Sequence, residues 1–91
     1  MGLKALLTLD LEKKATDEQR KTFNEKMAKL NWFKIKNLTT AWQAEFEDNV
    51  SLSVALATTK SDVTKAIKEA KVLQYHAVVQ FGNNTPSAFS S

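Results

Sequence analysis

Leu-Thr-Thr-Ala-Trp-Gln-Ala-Glu-Phe-Glu-Asp-Asn-Val-Ser-Leu-Ser-Val-Ala-Leu-Ala, residues 38–57, is the stretch whose reading decides the fold. Its second half alternates large apolar residues (Val50, Leu52, Val54, Leu56) with small ones (Ser51, Ser53, Ala55, Ala57). A period of two belongs to a strand with one buried face. The first half also alternates, Trp42 and Phe46 against Gln43 and Glu45. Asp48-Asn49 between them is turn chemistry, because both residues tolerate positive φ. The stretch therefore reads as a β-hairpin.

Loop length decides which way the aromatics face. Paired residues share a face of the sheet. A two-residue loop pairs Phe46 with Ser51 and Trp42 with Ala55, which leaves both aromatics outside. A three-residue loop at 47–49, with Asn49 left-handed, pairs Phe46 with Val50 and Trp42 with Val54. All the bulky groups then share the core face, where burial contributes roughly 2–3 kcal/mol for each aromatic. The second arrangement is the expectation. It leaves a flat outer face of small residues.

Working outward, residues 3–11 alternate as a first strand, with Leu6 and Leu7 both apolar as suits a central position. Thr16-Asp17-Glu18-Gln19 is a capping box. Phe23, Met27 and Leu30 follow at helical spacing, which predicts a helix over 17–30 with Asn31 as its left-handed stop. Trp32, Phe33 and Ile35 read as an apolar connection plugging the helix–sheet junction. Ser61 caps a second helix whose stripe is Val63, Ala66, Ile67 and Ala70. Residues 73–81 alternate as the last strand. The order β-α-β-β-α-β with right-handed crossovers predicts an α+β, ferredoxin-like plait: a four-stranded antiparallel sheet of order 4-1-3-2, both helices on one face. Residues 1–82 form the single domain, and 83–91 a disordered polar tail.

Composition narrows the function. The chain has 91 residues, no cysteine and a net charge of +3. Disulfides, thiolate metal sites and a cysteine nucleophile are excluded, and a reducing, cytoplasmic location is expected. No apolar run reaches the roughly 20 residues that span a bilayer. The N-terminal residues match neither a signal peptide nor a myristoylation site, so no membrane association is expected. With two glycines in the chain there is no glycine-rich phosphate loop, and no small-molecule cofactor is expected. The mild positive charge permits RNA contact without demanding it.

The predicted sheet leaves one face uncovered by helices. Leu6, Thr8, Ala41, Gln43, Ser53, Ala55 and Val78 are expected there, too apolar for a wet surface, and a homodimer assembled through that face follows. Asp10, Ser51 and His76 converge at one edge. Asp10 and His76 are the candidate catalytic pair, and Asp10 the candidate ligand of a divalent cation such as Mg²⁺. Base stacking on this face is disfavoured, since Leu6, Thr8, Ser53 and Ala55 have no aromatic ring.

The strand ending Leu-Thr-Leu-Asp-Leu (7–11), the basic amphipathic helix after it, and Trp-Gln-Ala-Glu-Phe (42–46) resemble the small ferredoxin-like ribonucleases over residues 3–81. That superfamily includes the CRISPR-associated spacer-acquisition nuclease, the VapD-type toxins and the GhoS-type antitoxin. The resemblance implies dimerisation, RNA binding or endoribonuclease activity, and a role for Asp10 at the end of the first strand. The other reading is a non-catalytic interaction or regulatory module of phage or mobile-element type.

Overall fold

The structure, a computed structural model, describes residues 2–36, 38 and 40–84. It contains β1 (Lys4–Leu11), α1 (Asp17–Lys29), β2 (Phe33–Lys34), β3 (Ala41–Glu45), α2 (Leu52–Ala70) and β4 (Tyr75–Gly82). The strands form one antiparallel sheet of order β2-β3-β1-β4, the expected ferredoxin-like plait. The expected tail falls largely at 85–91, outside the described residues.

Strand β1 is central for the reason its alternation gives. Ala5, Leu7 and Leu9 are buried, whereas Leu6 is half-buried and Thr8 and Asp10 are exposed. Register then carries this parity across the sheet. Leu7 lies opposite Trp42 on one side and Val79 on the other, so these three share the helix-covered face. Burying side chains of this size stabilises the fold by roughly 1.5–3 kcal/mol each. Trp42 meets Phe23 of α1 edge-to-face, ring centroids 6.2 Å apart at 79°. Such a pair is favoured by the ring quadrupoles.

Both helices begin and end on local signals. The Gln19 amide donates to the Thr16 hydroxyl (3.1 Å) and the Thr16 amide donates to the Gln19 side-chain oxygen (2.8 Å), completing the capping box. At the other end Asn31 takes φ 70°, while the amides of Asn31 and Trp32 donate to the carbonyls of Ala28 and Met27. Helix α2 stops in the same way. Lys71 sits at φ 59°, and the amides of Lys71 and Val72 donate to Lys68 and Ile67. In both stops the residue after the left-handed one is buried (Trp32, Val72), the hydrophobic contact that seals this motif.

The hairpin is not where the alternation placed it. Residues 52–57 are the first turns of α2, not a strand, and Asn49 is not left-handed. Ser51, not Ser61, is the cap: its hydroxyl accepts from the Val54 amide at 3.3 Å. The hairpin joins β2 to β3, with Phe33 opposite Gln43 and Lys34 opposite Trp42. The apolar connection at 32–35 thus supplies the edge strand. The buried line of α2 is Ala55, Thr59, Val63, Ala66, Ile67 and Ala70, which is helical spacing. Large residues that a strand would have buried stand out instead: Leu52 is 59% exposed and Val54 52%. The buried Thr59 hydroxyl donates to the Ala55 carbonyl at 2.8 Å, so it is satisfied within the helix.

Trp42 nevertheless points to the helices as expected, although its partners are Lys34 and Leu7 and not Val54. The Lys34 ammonium lies 5.5 Å from the Trp42 ring centre, over its face. Trp32 is buried, and its indole N–H donates to the Asp62 carboxylate at 3.0 Å, tying the end of α1 to α2. At the other end Phe46 packs against Phe81. Gly2 is buried beside that contact, where a Cβ would run into the Phe46 carbonyl.

Candidate functional site

The sheet face opposite the helices is the candidate site, and register arranges it in rows. Lys4 and Glu45 form an ion pair at one end. Next comes Phe33, Gln43, Leu6 and Gln80, running across all four strands. The third row is Ala41, Thr8 and Val78, and the last is Asp10 opposite His76.

Of the residues expected on this face, Leu6, Thr8, Ala41, Gln43 and Val78 are there. Ser53 and Ala55 are not. Both belong to α2, and Ala55 is 0% exposed within the core. Ala57 lies on the same helix. The smooth floor of small residues is therefore shorter than the alternation implied.

Asp10 and His76 do come together. They are cross-strand partners, both exposed, and such partners hold their Cβ atoms about 4.5–5.5 Å apart. With Thr8, Thr40 and Val78 they border a shallow depression on the face. Ser51 does not join them. It caps α2 after the chain leaves β3 at Glu45, which lies beside Lys4 at the opposite end of β1.

An aspartate beside an imidazole can orient the ring, and the imidazole can then move a proton. Cation binding is a harder test. Mg²⁺ demands a near-octahedral oxygen shell, usually anchored by one or two carboxylates. Among the described residues no three His, Cys, Asp or Glu side chains are grouped to hold a metal ion. Asp10 and His76 of one chain do not make such a set.

The sequence reading missed Phe33. It is 63% exposed, and its pairing with Gln43 puts it on the open face. No period marks it in the sequence, because its strand is only two residues long and the buried neighbours Trp32 and Ile35 read as an apolar connection. A second depression, lined by Arg20, Asn24, Lys34 and Trp42, lies on the helix side. Its cations are already engaged: Arg20 donates to the Glu12 carbonyl at 3.1 Å and Lys34 lies over Trp42. No helix of the described residues is long and apolar enough to cross a membrane. Compared with protein-family models, with curated proteins and with solved structures, the chain matches none.

Proposed function

We propose that this protein binds single-stranded RNA on the open face of its sheet, as a small ferredoxin-like module related in kind to the ribonucleases it resembles. One observation carries the reading: Phe33, 63% exposed, stands on that face in line with Gln43, Leu6 and Gln80. An exposed ring on an open plait face is a stacking platform for an unpaired base. The two glutamine amides in the same row offer donors and acceptors to base edges. The net charge of +3 favours the phosphate backbone. The Asp10–His76 pair, two rows away, is the place for cleavage: His76 would take the 2′-hydroxyl proton as that oxygen attacks the adjacent phosphorus, the 5′-oxygen would leave and take a proton from water, and Asp10 would hold the imidazole.

Fluorescence anisotropy with a labelled single-stranded RNA tests binding. Phe33→Ala is expected to weaken it roughly 5- to 150-fold, the loss of one stacked base. Unchanged binding by that variant overturns the reading. Gel analysis of the same RNA tests cleavage. Loss of cleavage in His76→Ala and Asp10→Ala, with binding retained, supports the catalytic pair. No cleavage by the native protein removes catalysis and leaves binding.

A second reading is a non-catalytic interaction module using the same face. Val78, 70% exposed beside Thr8 and Ala41, favours it, because an apolar side chain standing free on a sheet suits a protein partner better than RNA.

A further inference from the structure

We propose that the outer edge of β4 pairs with the same edge of a second copy, antiparallel about a two-fold axis at Val78, to make one continuous eight-stranded sheet. This does not rest on the RNA reading, since edge pairing leaves the open face uncovered.

Among the described residues, β4 is paired on one side only, with β1. A bare strand edge is a template for another strand, and proteins blunt such edges with charge, proline, bulges or short length. The opposite edge of this sheet is blunted: β2 has two residues, one of them Lys34. Strand β4 has none of these devices. It runs eight residues, Tyr75–Gly82, without Lys, Arg, Asp, Glu or Pro. Its register with β1 is unbroken from Leu11↔Tyr75 to Lys4↔Gly82, so it carries no bulge.

The occupant is identified by the strand's own symmetry. Read outward from Val78, the sequence is aliphatic, polar, aromatic in both directions: Ala77, His76, Tyr75 one way and Val79, Gln80, Phe81 the other. A two-fold contact requires a surface complementary to itself. In antiparallel pairing centred on Val78, Tyr75 of each copy faces Phe81 of the other, His76 faces Gln80, Ala77 faces Val79, and Val78 faces itself. Each pairing joins residues of one sheet face, as register requires. The aromatic pairs fall on the helix side, where Tyr75 is 39% exposed. The His76–Gln80 pairs fall on the open side.

The geometry has a consequence for the acidic residue. The two Asp10 side chains would lie three strand spacings and four residues apart, roughly 20 Å. That is too far to share one cation, so a metal site split between two copies does not form at this seam.

Multi-angle light scattering tests the proposal on the full chain. The native protein is expected to have the mass of two chains. Val78→Lys and Val78→Glu each put like charges opposite one another at the axis, and each should weaken dimerisation about tenfold or more. Mixing the two variants should restore a two-chain mass, because Lys then faces Glu. Circular dichroism checks that both variants keep native helix content, as 70% exposure of Val78 implies. Thr8→Arg, on the open face of β1, should leave the dimer intact. A monomeric native protein overturns the proposal, as does a dimer indifferent to both Val78 variants or a mixture that stays monomeric. A Thr8→Arg monomer would assign the contact to the open face instead. RNA binding by a monomer would sink this inference alone, and loss of RNA binding by Phe33→Ala bears only on the function proposed above.

Discussion

Replacing Val54 by Ala and Ala55 by Leu pits the helix at 52–57 against the strand that its alternation suggests. In the helix Val54 is 52% exposed. Truncating it forfeits about half the burial of a valine, on the order of 0.8–1.5 kcal/mol. Alanine's better helix propensity returns up to about 0.7 kcal/mol. The net change should be a loss of no more than about 1 kcal/mol. Ala55 is the opposite case. It is 0% exposed and sits one helical turn from the buried Thr59. Three added carbons overpack this fully buried position, at a cost of about 1–3 kcal/mol. For a domain of this size that is a fall of roughly 4–24 °C in Tm. Thermal and urea melts followed by circular dichroism measure both changes, with an unchanged urea slope showing that the unfolded states are comparable. In a core strand the order reverses, since Val54 would be buried and Ala55 would face outward. A Val54→Ala loss above about 2 kcal/mol together with a tolerated Ala55→Leu would refute the helix assignment.

Asp62→Ala strands the buried Trp32 indole N–H without its acceptor, and should cost about 1–3 kcal/mol in urea titration. Asp62→Asn keeps an acceptor and should cost less. Ser51→Ala removes the cap of α2 and should cost about 1 kcal/mol. Ser61→Ala, at an exposed position in the middle of the same helix, should change stability by less than about 0.5 kcal/mol. Equal losses at the two serines would mean that the helix starts near residue 61.

Much of the plait was legible because several signals agreed at each place. The first strand shows alternation, the first helix has a capping box before an apolar stripe and Asn31 after it, and the last strand alternates up to Gly82. The orientation of Trp42 was also legible, since its parity with Leu7 depends on the neighbouring strand and not on the hairpin loop. The segment at 50–57 misled because two periods overlap in it. Val50, Leu52, Val54 and Leu56 recur every second residue, while Ala55 and Thr59 begin a helical line that continues to Ala70. The longer pattern wins: one nineteen-residue helix buries its stripe throughout, and a strand there would have broken it at residue 57. Small buried residues such as Ala55 and Ala70 carry little hydrophobic signal, so that line is faint in sequence. The hairpin lies at 33–45 instead, and the open face is placed accordingly. Asp10 and His76 kept their places because both lie on strands the alternation located correctly. Phe33 was lost because a two-residue strand is too short to show a period.

The most direct measurement is an NMR titration of ¹⁵N-labelled protein with a short single-stranded RNA, following each backbone amide. The expected result is saturable shifts at Leu6, Thr8, Phe33, Gln43, His76 and Val78, with α1 and the exposed side of α2 quiet. Shifts confined to the helices, or none at all, would contradict an RNA surface on the open side of the sheet.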